Sequence, residues 1–402
     1  MPALDRPSPK LRVAILGHTA APGGAELALL RLVEALDPDA VELTVILFSS
    51  GPLTERLQAV GARVEVMPMG TSATLDRAAA GATPWRALRN AAGVLPFALR
   101  LGRRLRGLRP DVIHSTTLKA DLLGVPASWI ARRPLVWHVH DRISADYLPA
   151  PLVKLIRWLA RWAPRRVIAN SEATSATLPG VRDVVVAYPG LADSQMIASP
   201  ADHRAPTVPV MGMLGRISPT KGQLVFVRAA ALVLRGHPGT RFRIVGEALF
   251  GEQAYAQQVR AEVAALGLDE AVEFVGFVDD PQSALDGFTA CVHASPTPEP
   301  FGQVVAEAMG RGVPVIATEG GGIAEIVRPS PNTPPFGLLV PPGRPEALAA
   351  AMIDVLEHPD AAEERARRAW QRVRENFLVS STAGTVTEVW REVAAGRRSV
   401  RD

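Results

Sequence analysis

Leu11-Arg12-Val13-Ala14-Ile15-Leu16-Gly17 runs into His18 and then Pro22-Gly23-Gly24-Ala25-Glu26, after which Leu27, Leu30, Val33 and Ala35 recur at helical spacing. An apolar run of a strand's length, a glycine loop and a helix follow one another without a break. Outward from this start, residues 41–49, 63–67, 112–115, 135–139 and 184–188 read as further strands and residues 53–60 as a helix. Strands alternating with helices predict a parallel sheet covered on both faces. The pattern then restarts with a strand over 209–214, a glycine loop from Gly215 to Gly222, a helix over 223–235, a strand over 241–245 and a turn at Gly246-Glu247. Strands over 272–275, 290–294 and 314–317 and helices over 281–287, 302–311 and 345–357 continue it. The fold class expected is α/β, with two Rossmann-like domains whose parallel sheets face each other across a cleft. Residues 1–195 make the first domain and 205–375 the second. Residues 376–402 are expected to cross back to the first as a helix, and residues 191–208, which lack a sustained period, read as the linker.

Length and composition agree with two domains. The chain has 402 residues, 48% of them hydrophobic and 21% charged, which is too long for one core and ordinary for a globular protein. No apolar run approaches the ~20 residues of a membrane helix. The polar, proline-containing start from Met1 to Lys10 does not read as a secretory signal, so the expected compartment is the cytoplasm. The single cysteine, Cys291, lies in an apolar run and reads as an inert buried thiol. No cluster of His or Cys suggests a metal, and Asp37-Pro38-Asp39 reads as a turn.

In open parallel sheets ligands sit beyond the carboxyl ends of the strands, so the loops there carry the candidate chemistry. Gly23-Gly24 lets backbone approach a phosphate at a helix start, although a tight turn without function has the same sequence. Gly215 to Gly222 places Arg216 and Lys221 five residues apart on one loop. A guanidinium fork and a point charge could together neutralise a leaving diphosphate without a metal; two solvated surface charges are the plainer alternative. Pro298-Glu299-Pro300-Phe301-Gly302-Gln303 leads into a helix carrying Glu307, expected two turns inside it. A carboxylate in an otherwise apolar helix needs partners, and two ribose hydroxyls would supply them. The helix start at Phe301 to Gln303 offers N–H groups to sugar or phosphate oxygens.

The Glu-x7-Glu spacing of Glu299 and Glu307 resembles the signature of the retaining family-4 glycosyltransferases of the GT-B fold. Gly23-Gly24-Ala25-Glu26, Gly215-Arg216, Lys221-Gly222, Val245-Gly246-Glu247, Gly276-Phe277-Val278 and Gly320-Gly321-Gly322 match in order along nearly the whole chain. The resemblance implies a metal-independent hexosyltransferase of class EC 2.4 that uses a nucleotide diphosphate sugar, UDP- or GDP-linked, as donor substrate and needs no cofactor. It implies that Arg216 and Lys221 grip the diphosphate with Gly24 opposite, that Glu307 holds the ribose, and that Glu299 with the backbone of Phe301 and Gly302 reads sugar hydroxyls. Gly23, Gly215, Glu247, Phe277 and Gln303 join the donor set. His140, at the end of Trp137-His138-Val139-His140-Asp141, matches the histidine that faces the reacting sugar. His138 is its rival, and alternation of faces along a strand is expected to let only one of them point to the ligand. An epimerase of similar fold lacks enough acid and base groups here, and a non-catalytic sugar-nucleotide binder would not need every charged position filled.

Charge is uneven: residues 1–200 hold eight more cations than anions and the remainder four fewer. From Arg77 to Pro110 there is no acidic residue, while Arg77, Arg86, Arg89, Arg100, Arg103, Arg104, Arg106 and Arg109 share the stretch with Trp85, Leu95, Phe97 and Leu101. Lys154, Arg157, Arg161 and Arg165 are spaced to line one helix face beside Trp158 and Trp162. Such helices suit an anionic membrane surface on the cytoplasmic side, or pack on the sheet with their arginines solvated. The acceptor partner is then a glycan, a lipid-linked molecule or a small molecule. No nucleic-acid module accompanies the charge.

Overall fold

The computed structural model describes residues 10–21, 23–69, 84–249 and 251–398. The chain divides into two compact units, Met1–Gly190 with Val379–Asp402, and Leu191–Leu378.

The first unit runs β1 (Leu11–Gly17), α1 (Gly24–Ala35), β2 (Val41–Leu47), α2 (Pro52–Ala59), β3 (Arg63–Val66), α3 (Pro84–Leu108), β4 (Val112–Ser115), α4 (Leu118–Ala131), β5 (Leu135–Val139), α5 (Ala150–Trp162), β6 (Arg166–Ala169), α6 (Glu172–Ser175) and β7 (Val185–Val186), and is completed by the last helix, α14 (Val379–Arg398). Its sheet has the order β3-β2-β1-β4-β5-β6-β7 and every pairing is parallel. β1 is apolar and buried from Val13 to Gly17 because helices cover both faces. One layer packs α3, α4 and α5 through Phe97, Leu101, Leu123 and Ile156. The other packs α1, α2 and α14 through Leu29, Leu57, Val386 and Trp390.

The second unit runs β8 (Val210–Leu214), α7 (Gln223–Val233), β9 (Arg241–Val245), α8 (Gln253–Ala265), β10 (Val272–Gly276), α9 (Pro281–Asp286), β11 (Ala290–His293), α10 (Gln303–Gly310), β12 (Val315–Thr318), α11 (Gly322–Val327), β13 (Leu338–Val340), α12 (Pro345–Glu357) and α13 (Pro359–Asn376). Its parallel sheet has the order β10-β9-β8-β11-β12-β13. Local chemistry sets the element ends. Asp280 accepts from the backbone of Gln282 and Ser283 with Pro281 behind it, which starts α9. The strand order reverses beside β1 and β4 in one unit and beside β8 and β11 in the other, which places a crevice at those carboxyl ends.

Residues 191–208, expected as a linker, are part of the second unit. Leu191 donates its N–H to Phe377 at 2.8 Å, Ile197 donates to Gly310 at 3.2 Å, and the indole of Trp370 donates to the Ile197 carbonyl at 3.1 Å. Backbone bonds and single apolar contacts hold this segment, so it carries no period.

The basic helices are tied down more than their sequence suggests. Arg104 makes a two-point pair with Glu65, and Arg100 donates to the Pro68 carbonyl at 2.7 Å. Arg157 donates to the carbonyls of Thr177 and Ile143, and Arg161 to that of Pro179. Because α5 ends at Trp162, Arg165 is not on the helix face expected for it. Arg77 and the side chains of Trp85, Arg86 and Arg89 lie outside the described residues. Large apolar side chains are exposed as well: Trp129 on α4 and Trp158 and Trp162 on α5 are 66%, 58% and 77% exposed. No helix among the described residues is long and apolar enough to cross a membrane.

Candidate functional site

In the second unit the loops after β8, β11 and β12 meet. Gly222 has a positive φ, and a Cβ there would lie 2.0 Å from the Ala294 carbonyl oxygen, so only glycine lets the first loop close on the second. Ser295 braces the closure by donating its hydroxyl to the Thr220 carbonyl at 2.6 Å. Gly321, also at positive φ, packs its backbone against that of Glu299, and the N–H of Gly322 donates to the Glu299 carbonyl at 3.0 Å.

These closures bring Lys221 onto Glu299, 78 positions away in sequence, with the ammonium 2.6 Å from Oε1. The same oxygen lies 2.8 Å from the Ser295 hydroxyl, whose one proton it shares with the Thr220 carbonyl, and 3.2 Å from Nε2 of His293. Burial opposes charge on Glu299, yet Lys221 and His293 outweigh it and hold the carboxyl well below the usual carboxylate range. Arg216, on the same loop as Lys221, has Nε 3.4 Å from Oε2 of Glu252. The Gln223 amide donates to the Arg216 carbonyl at 2.9 Å and fixes the loop over the start of α7. Both candidate cations are thus in place, and each faces a carboxylate.

The other donor-set residues fall around them. Gly215 donates to the Val245 carbonyl and Ile217 to that of Glu247, so the loops after β8 and β9 run together. Phe277 donates its N–H to Glu247 at 3.4 Å and exposes its ring. The ring of Phe301 is buried against Phe377 and belongs to the core, which leaves only its backbone for a ligand. Gln303 opens α10, and Glu307 lies one turn into that short helix and is half-buried, not the two turns expected.

The crevice of the first unit is different. Gly23 precedes α1 and Gly24 begins it, with no side-chain cap; a Cβ on Gly23 would meet the carboxyl of Glu26 at 2.5 Å. Burial, helped by the nearby Asp141, pushes Glu26 up to about 7, although its own backbone N–H works the other way. His140 follows β5, and its carbonyl accepts from Asn170. The expectation that His138 and His140 point to opposite faces is wrong: they are two residues apart, which is one side of a strand, and their rings lie 4.2 Å apart. Both line a small concavity with Thr116, Leu29, Gly190 and Thr382. His138 packs in turn edge-on against His114 at 5.3 Å, whose Nδ1 accepts from the indole of Trp390 at 3.0 Å. Burial pushes all three imidazoles down, His140 to about 4 and His114 to about 3, so the column is neutral near pH 7. Asp121 is buried beneath, accepts from Ser115 at 2.5 Å, and burial pushes its carboxyl up.

Sequence reasoning missed Glu252, His293, Ser295, His114 and Trp390. His293 and Ser295 stood at the carboxyl end of β11, beside the strand-order reversal, and that position was the available signal. Nothing in the sequence joined Glu252 to Arg216 or Trp390 to His114. Asp37 accepts from the Asp39 backbone at 2.8 Å in a turn, and among the described residues no group of three or more His, Cys, Asp or Glu is arranged to hold a metal ion.

The sequence matches known proteins along most of its length. The sequence pattern described as Glycosyl transferases group 1 matches residues 198–372, and that described as Glycosyltransferase Family 4 matches residues 22–195. The chain is 30% identical over 365 residues to the 2-deoxystreptamine N-acetyl-D-glucosaminyltransferase of Streptomyces fradiae, covering 83% of this chain and 82% of that protein. It is 28% identical over 337 residues to the lipopolysaccharide core biosynthesis mannosyltransferase LpcC of Rhizobium leguminosarum bv. viciae, covering 76% of this chain and 92% of that protein. The crystal structure of HepE from Anabaena in complex with UDP and glucose superposes with a TM-score of 0.81 at 29% identity, over 94% of this chain and 99% of that one.

Proposed function

The chain belongs to the group 1, family 4 glycosyltransferases of GT-B fold, and on that premise we propose a retaining hexosyltransferase that moves a sugar from a nucleotide diphosphate donor to an acceptor hydroxyl. The observation that carries this reading is the meeting of Lys221 and Glu299 at 2.6 Å beside Arg216, at the crevice of the second sheet. Arg216 and Lys221 take up the negative charge that grows on the diphosphate as the bond to the anomeric carbon breaks, in place of a metal. Glu299 accepts from hydroxyls of the transferred sugar, and Glu307 from those of the ribose. The departing phosphate takes the acceptor's proton, so no dedicated protein base and no cofactor enter the scheme. His140, neutral near pH 7, offers the reacting sugar a hydrogen bond and not a charge. HepE, bound to UDP and glucose, favours a uridine donor over a guanosine one.

The test is the product. Proton NMR should show the donor's anomeric configuration retained, and turnover should be unaffected by a chelator. An inverted product removes retention, and activity lost to chelator and restored by magnesium removes the metal-free scheme.

A finer reading concerns the acceptor. The exposed Trp158 and Trp162 on α5, which also carries the exposed Lys154, and the exposed Trp129 on α4 suit the interface of an anionic membrane, where a lipid-linked acceptor would be met. Sedimentation with anionic vesicles at low salt should carry the protein down, and Trp158→Ser with Trp162→Ser should release it. Protein left in the supernatant favours a water-soluble glycan or small-molecule acceptor.

A further inference from the structure

We propose that Glu252 is an internal counter-ion that holds the guanidinium of Arg216 until the donor's diphosphate takes its place. The inference rests on the reading that Arg216 binds that diphosphate. Glu252 lies immediately before α8, yet its side chain makes no bond into that helix. It turns to the loop after β8 instead: Oε2 is 3.4 Å from Nε of Arg216, and Oε1 accepts from the Ser218 hydroxyl at 2.9 Å. Ser218 is in turn 2.9 Å from the Thr220 hydroxyl, so the carboxylate is tied into the same loop that presents both cations.

The two ion pairs of the site differ in what is left when the cation departs. Glu299 keeps Ser295 and His293 beside it when Lys221 turns away. Glu252 keeps Ser218, and as the residue at the helix start it gains the free N–H groups of α8 as an alternative partner. Its side chain and that of Arg216 are 25% and 31% exposed, so the pair is partly in water. Such pairs are weak enough to be exchanged for a dianionic phosphate, and they change affinity by only about two- to fivefold. The arrangement makes donor binding an exchange of one anion for another, with Arg216 oriented in advance.

Titration calorimetry of the full chain with UDP and with GDP tests this on the parent, Glu252→Gln, Arg216→Ala and the double variant. Glu252→Gln should bind whichever nucleotide the parent binds about two- to fivefold more tightly, Glu252→Ala should act in the same direction, and the gain should vanish when Arg216 is absent. Unchanged or weaker binding by Glu252→Gln overturns the proposal, since Glu252 would then only orient Arg216. A gain that persists in full in the Arg216→Ala background also overturns it, because simple repulsion would suffice. The underlying reading fails separately, and the proposal with it, if Arg216→Ala binds as tightly as the parent or if the parent binds neither nucleotide.

Discussion

The crevices of the two sheets share a strand order and differ in charge. Beside β8 and β11 basic and acidic side chains pair: Lys221 with Glu299, Arg216 with Glu252. Beside β1 and β4 lie neutral imidazoles, with Asp121 and Glu26 pushed up by burial. Topology therefore makes the crevice, and the residues at the strand ends decide what it can hold. A site of exchangeable ion pairs suits a highly charged diphosphate. A site lined by neutral imidazoles suits a hydroxyl, to which it offers a hydrogen bond without a net charge.

Three measurements probe this contrast, in decreasing order of effect. Lys221→Ala strips the charged crevice of a cation and leaves Glu299 buried with less compensation. Turnover, measured as donor hydrolysis or transfer, should fall by about 10²–10³. A variant within tenfold of the parent would mean that charge in that crevice does not serve the leaving group.

The second is acid. His114, His138 and His140 take up protons in the unfolded chain below their ordinary value near 6.5 but stay neutral in the folded one until about pH 4 or lower. Their contribution is full above pH 6.5 and is lost as pH falls. Glu26 and Asp121, with raised folded values, oppose this, since they favour folding below their ordinary range and lose that as pH rises. The imidazoles and the carboxyls pull in opposite directions, and the three imidazoles outnumber the two carboxyls, so the first unit should lose stability as pH falls below about 6.5. In the second unit the lowered Glu299 keeps its contribution above about pH 4.5 and loses it only below. Amide hydrogen exchange resolved by segment checks this; equal loss of protection in both units between those two pH values would break the contrast.

The smallest effect is expected from Trp390→Phe, which removes the donor to Nδ1 of buried His114 at one end of the neutral column. Stability should drop by about 1–3 kcal/mol in a denaturant titration, with UDP affinity unchanged. A change in UDP affinity would show that the column and the charged crevice are not separate.

The backbone plan was readable because parallel strands covered on both faces are continuous apolar runs. β1, β4, β5 and β9 run between the residues at which those runs begin and end. β6 and β13 are only four and three residues long, too short for an apolar run to stand out from its surroundings. At the site, Arg216, Lys221 and Glu299 were legible because glycines and charges cluster at strand ends. Their counter-charges were not, since Glu252 sits on a helix boundary where a glutamate is unremarkable. The histidine column was misjudged on the face of the strand. The burial that keeps it neutral comes from α14, more than two hundred residues downstream, and no local pattern carries that information.

That last helix also fixes an order of events during synthesis. The second unit is one uninterrupted stretch, Leu191–Leu378, and can complete its core once that stretch leaves the ribosome. The first unit, although its larger part is translated earlier, lacks Val386, Trp390 and Val393, all buried against its sheet, until α14 emerges. The half made first is therefore the half finished last. A nascent chain released short of α14 would carry a folded C-terminal half and an N-terminal half with an apolar sheet face open to chaperones and proteases.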